Sequence, residues 1–161
     1  MSNCYFCFKI IGDISLNFCL KQKMCGYYMI IQKDLKRLFA QLLHDDFARI
    51  TIDGAEVLVR IYDRAAKFSL VTPVYFGSNF IPNSVRQCVA KRAPFDHGEI
   101  KTFLTVDENN FQINLNYLGT TEPLSNQFFV ELLEQFSWLA QEWRLYLDEN
   151  DKNDLIHIRV K

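Results

Sequence analysis

Between residues 35 and 43 the apolar side chains fall at i, i+3, i+4, i+7 and i+8, as Leu35, Leu38, Phe39, Leu42 and Leu43. That spacing predicts an amphipathic α-helix. The period then drops to two. "FARITIDGAEVLVRIYD" reads as two short strands about Asp53-Gly54, because this dipeptide tolerates the positive φ of a type I′ turn. "KFSLVTPVYF" reads as a third strand, with Pro73 putting that part at an edge or a bend. In "IPNSVRQCVAKRAP", Ser84 and Gln87 stand at capping-box spacing, and Val85, Cys88 and Val89 share a face. A short helix ending before Pro94 follows.

"EIKTFLTVDENNFQINLNYLG" predicts a second hairpin, in which Phe111, Ile113, Leu115 and Tyr117 alternate with Gln112, Asn114 and Asn116. Ser125 is placed to cap one long helix over residues 124–150. At ~100° per residue, Phe129, Leu132, Leu133, Phe136, Leu139, Ala140, Trp143 and Leu147 line one side of it. Glu131, Glu134, Gln141 and Glu142 line the other, yet Trp138 and Leu145 stand among them. "LIHIRV" is expected to add a last strand. Helices separated by antiparallel hairpins make an α+β fold of αβββαββ(β)α-type order, with the long C-terminal helix packed on the sheet.

A chain of 161 residues suits one domain. Residues 1–28 differ from the rest: they show no period and hold Cys4, Cys7, Cys19 and Cys25, four of the five cysteines. They read as an N-terminal extension to a domain over 29–161, and Met24 and Met29 are both candidate starts. The extension carries Lys9, Lys21 and Lys23 against Asp13, so the net charge of −1 becomes −3 beyond it, with 15 basic and 18 acidic residues. That balance gives no electrostatic footprint for nucleic acid. An odd cysteine count without a signal-peptide pattern argues for reduced thiols. Lys9 and Asp13 interrupt the apolar opening well short of a membrane span, so the expected setting is cytoplasmic.

Candidate chemistry is sparse. Cys4-x-x-Cys7 with Cys19 and Cys25 offers four thiolates, but the second pair is spaced too widely for a zinc site of ordinary type. Cys88, on the apolar face of its helix, reads as a core residue. His44 and Asp45 end the first helix, and His97 and Glu99 lie in a Gly-bearing turn. Neither pair puts two ligands on one helical face. His157 stands alone. No G-x-S-x-G elbow, GxxxxGK[ST] loop or G-x-G-x-x-G turn occurs. A binding role without catalysis or a cofactor is the expectation.

This order of elements over residues 29–161 resembles the class I type III secretion chaperones, the Tir-chaperone (CesT/SycE-like) family. The resemblance rests on "LKRLFAQLL", "TIDGAEVLVRI", "IPNSVRQCVAKR", "FQINLNYLG" and "FFVELLEQFSWLAQEWRLYL". It implies a cytoplasmic homodimer, using neither ATP nor metal, that holds the N-terminal segment of one secreted effector in extended form until export. Apolar patches and main-chain pairing to a sheet edge would supply the grip. It further implies a dimer interface at Val85, Val89, Phe111 and Ile113. Effector contacts are implied at Leu35, Phe39, Phe103 and Tyr117, with Trp138 and Leu145 covered by a second chain, the dimer mate or the bound effector; the alternative is that the 28-residue extension or a loop folds over them. Two other readings fit the residues: a YbjN-like regulatory module for protein–protein interaction, and a small metal-dependent enzyme built on His44, Asp45, His97 and Glu99.

Overall fold

The computed structural model describes residues 27–52, 54–91, 94–95, 100–122 and 125–158. Eight elements follow in chain order: α1 (Tyr27–Asp45), β1 (Phe47–Ile52), β2 (Ala55–Tyr62), β3 (Lys67–Phe76), α2 (Asn83–Ala90), β4 (Thr102–Asp107), β5 (Gln112–Thr120) and α3 (Asn126–Ile158). The strands form one antiparallel sheet in the order β1-β2-β3-β5-β4. The α+β expectation holds, and α1 begins at Tyr27.

Local chemistry sets the elements. Ile52 pairs with Ala55, and Gly54 in the tight link between them has φ +78°; Asp53 lies outside the described residues. The second hairpin turns where the Asp107 carboxylate accepts the Asn109 and Asn110 amides at 3.0 and 3.2 Å and the Asn110 side-chain amide at 2.8 Å. Those bonds, the Asn110 side chain foremost, hold the Asp107 carboxyl below the usual carboxylate range. Ser125 caps α3 as expected, its hydroxyl accepting the Phe128 amide at 3.2 Å.

Two local expectations are corrected and a third is narrowed. The segment expected as a last strand is helical through Ile158; no Gly or Pro stands in α3 to end it earlier. Ser84 is not the N-cap, because α2 starts two residues sooner than a Ser84 cap requires, with Pro82 at the cap and no side-chain cap bond. Pro73, expected at an edge or a bend, lies at a bend, within the central strand and not at an edge. A β-bulge there shifts the register, so that Pro73 faces Asn114 and Tyr75 faces Ile113. Arg144 of α3 donates to the Pro73 carbonyl at 3.2 and 2.8 Å, tying the long helix to the bulge.

One face of the sheet carries the core. Ladder partners place Ala48, Ile50, Val57, Val59, Phe68, Leu70, Ile113 and Leu115 on it, all buried. All eight stripe positions of α3, Phe129 to Leu147, are buried against this layer, as are Leu35, Leu38, Phe39 and Leu42 of α1. Phe129 joins the three elements, its ring centroid 5.7 Å from Phe39 and 6.0 Å from Phe68. Val85 and Cys88 of α2 complete the core, the Cys88 thiol beside the Tyr146 hydroxyl, whose pKa it raises. A β-carbon on Gly119 would stand 2.8 Å from the Phe68 ring, which is itself buried. Gly119→Ala is therefore expected to cost about 1–3 kcal/mol in chemical denaturation.

Candidate partner-binding surfaces

The opposite sheet face and both sheet edges remain uncovered among the described residues. β1 is one edge. Its hydrogen-bonding phase follows from the Ile61 amide, which donates to the Asp46 carbonyl at 2.8 Å. Because bonded and non-bonded pairs alternate along an antiparallel ladder, Ala48, Ile50 and Ile52 bond to β2. The N–H and C=O groups of Phe47, Arg49 and Thr51 then point away from the sheet. They border a groove of about 460 Å³, walled on the other side by Arg37, Gln41 and Asp45 of α1 and floored by Ala48 and Ile50. Arg49 and Glu56 pair at 3.0 Å on its outer lip. Chemically this is an open strand edge with a pocket below it, suited to main-chain pairing and to alternate side chains of an added strand.

A second group of exposed apolar residues lies at the far end of the sheet. Phe76 and Phe80 are 63% and 66% exposed. They flank the turn into α2, where the Gly77 amide donates to the Phe111 carbonyl at 2.7 Å. Arg86 of α2 grips Glu108 in a two-pronged ion pair, Nη2 to Oε2 at 2.7 Å and Nη1 to Oε1, and so fixes α2 to the β4–β5 turn. That pairing holds the Glu108 carboxyl below its usual range.

The residues singled out from the sequence are dispersed. Leu35 and Phe39 are buried under the sheet, so the groove is walled by the opposite face of α1. Val85 and Ile113 are fully buried within the chain, whereas Val89 and Phe111 are half-buried. Tyr117 is half-buried on the core face, where burial raises its pKa. Phe103 is exposed on β4, the other sheet edge. Trp138 and Leu145 are 47% and 60% exposed on the back of α3. Sequence periodicity missed Phe76, Phe80 and the groove wall. Phe80 stood outside every periodic segment, which is the signal that marks it.

Among the described residues, no three of His, Cys, Asp or Glu gather closely enough to hold a metal ion. His44 and Asp45 are exposed at the end of α1. Cys4, Cys7, Cys19, Cys25, His97 and Glu99 lie outside the described residues. No helix of the described residues is long and apolar enough to cross a membrane.

No family model matches the sequence, and no curated protein matches it. Solved structures do match in fold. A chain of the heterodimeric ExoU–SpcU complex from the type III secretion system of Pseudomonas aeruginosa aligns with 66% of this chain and 84% of its own length, at 14% identity and a TM-score of 0.47. A chain of the ExsC–ExsE complex aligns over 77% and 97%, at 14% identity and a TM-score of 0.53. A chain of the HopA1–SchA chaperone–effector complex aligns over 72% and 94%, at 14% identity and a TM-score of 0.51. The chain shares its α+β fold with the matching chains of the ExsC–ExsE and HopA1–SchA complexes. At this identity the likeness concerns architecture, and a shared fold leaves the ligand to be argued from the chain's own surfaces.

Proposed function

We propose that this chain is a chaperone that binds the N-terminal segment of a secreted effector protein and keeps it competent for type III export. The observation that carries the reading is the unpaired edge of β1 above its groove, an acceptor for an extended chain. An extended segment needs main-chain partners for its own amides, and the outward groups of Phe47, Arg49 and Thr51 supply them at the right spacing. Its alternate side chains would enter the groove beside Arg37, Gln41 and Asp45. Phe103 and Tyr117 are candidate contacts further along the wrapped segment, as are Trp138 and Leu145. Leu35 and Phe39 would act by supporting the groove from beneath.

The partner reading includes a homodimer, because two-fold association is the usual way a small domain covers surplus aromatic surface. Val85, Val89, Phe111 and Ile113 mark the end of the molecule involved, and Phe76 and Phe80 are its exposed anchors. Light scattering on the purified chain is expected to give twice 18.9 kDa. Phe80→Asp should shift that mass to the monomer.

Affinity purification of the tagged chain from its native host, followed by mass spectrometry, tests the function. One dominant secreted protein, released when its own N-terminal segment is deleted, is expected. Capture that is heterogeneous, or that survives the deletion, would overturn the reading.

A further inference from the structure

The long helix buries one side completely and carries an ordered pattern on the other. Along its back run Glu134, Trp138, Glu142, Leu145 and Glu149, at successive steps of four, four, three and four residues. At ~100° per residue they fall within one sector centred opposite the core stripe, with Trp138 and Leu145 two turns or roughly 10.5 Å apart. Both are exposed, while Leu139 and Ala140 next to Trp138 are fully buried. Each apolar residue is thus bracketed by carboxylates one turn above and one turn below. Glu131 continues the stripe towards the N-terminus, accepting a hydrogen bond from Gln127 at 3.0 Å.

These carboxylates take part in none of the ion pairs found among the described residues, which join Arg49–Glu56, Lys67–Asp63 and Arg86–Glu108. Arg144, the guanidinium within α3, is turned to the Pro73 carbonyl instead. Lys152 stands at the far end of the stripe and leaves its acidic middle uncompensated. Glu131 and Glu134, three apart, repel each other at a cost of some tenths of a kcal/mol, and Glu142 and Glu149, two turns apart on the same face, extend the negative charge along it. A cationic partner would relieve that repulsion.

From this arrangement we infer that the back of α3 is a docking ridge for a basic amphipathic helix of the partner protein, its apolar residues seven apart and flanked by Lys or Arg. The inference rests on the partner-holding reading above and adds the chemistry of a second contact, helical where the first is extended. Two apolar knobs seven residues apart, edged by one sign of charge, form half of a heptad seam, and the matching half carries the opposite sign. A second copy of this chain fits poorly, because self-complementary pairing of the ridge would set carboxylates against carboxylates.

The test uses the full chain and two synthetic peptides of three heptads each, one with leucine every seventh residue flanked by lysines, the other with glutamates in place of the lysines. Trp138 is exposed and Trp143 is buried, so the red edge of tryptophan emission reports on the ridge. The lysine peptide is expected to shift emission to the blue in a saturable way. Its affinity should fall at least about tenfold between 0.05 and 0.5 M salt, as screening predicts. Glu134→Gln with Glu142→Gln should weaken it by a similar factor while leaving the melting temperature in place. The glutamate peptide should not bind. Equal binding of both peptides, or of neither, would overturn the proposal. So would a Trp138 already shielded from acrylamide quenching in the free chain. Shielding independent of protein concentration would assign the ridge to residues 1–26, with their Lys9, Lys21 and Lys23. Shielding that grows with concentration would assign it to a second copy. Because the probe is a peptide and not the effector, failure of the β1-edge reading leaves this result standing, and the reverse also holds.

Discussion

Phe136→Ala is expected to destabilise the chain by about 3–5 kcal/mol, whereas Trp138→Ala, two residues further on, should change stability by no more than about 0.5 kcal/mol. Both remove a large aromatic side chain from the same helix. Phe136 is fully buried at the centre of the stripe that packs on the sheet, so its removal leaves a cavity that neighbours such as Leu132, Leu133 and Ala140 close incompletely. Trp138 points to the other side and is about half exposed. Urea denaturation with a common slope checks the pair. A large loss in Trp138→Ala would place that residue in a packed layer and remove it from any partner surface.

The second large effect concerns the edge of β1. Arg49→Pro should leave melting within a few degrees of the parent and reduce effector capture on the order of 10- to 100-fold. The Arg49 amide points away from β2, so a proline there costs no ladder bond and sits where edge strands tolerate it. The substitution does break the Arg49–Glu56 pair, but both side chains are more than half exposed and such a contact adds little. What proline removes is a donor that an added strand needs, and its ring blocks close approach at that position. The matched control is Arg49→Ala, which loses the ion pair and keeps the amide. Capture equal to the parent in Arg49→Ala and lost in Arg49→Pro is the expected signature, read by quantitative pull-down.

Most of the fold could be read from the chain because each strong element obeys a single period. The α3 stripe has eight positions at helical spacing, and all eight are buried. The tight link at Gly54 and the Ser125 cap are local events set by a few adjacent residues. The failures were of another kind. Pro73 was expected at an edge or a bend, and the bend is real, but which strand is central depends on pairing between segments far apart in sequence. "LIHIRV" alternates like a strand, yet a helix already under way continues until something stops it.

The candidate surfaces were less legible, for the same physical reason. Leu35 and Phe39 identified α1 because they are its inner face, and an inner face is covered in the folded chain. Arg37, Gln41 and Asp45 wall the groove from the polar side, and polar helix faces look alike whether or not they border an open strand. The edge position of β1 emerges only with the sheet order. Trp138 and Leu145 were legible because a large apolar side chain opposite a filled stripe departs from the period.

Amide hydrogen exchange on β1, with and without the captured effector segment, decides whether a strand is added at this edge. Ala48 and Ile50 donate to β2 and should be protected in both states. Phe47, Arg49 and Thr51 face outward, so their amides should exchange quickly in the free chain. They should slow by at least about tenfold in the complex, where each alternate position gains a main-chain acceptor. Protection that appears elsewhere while these three amides exchange as before would contradict strand addition at this edge.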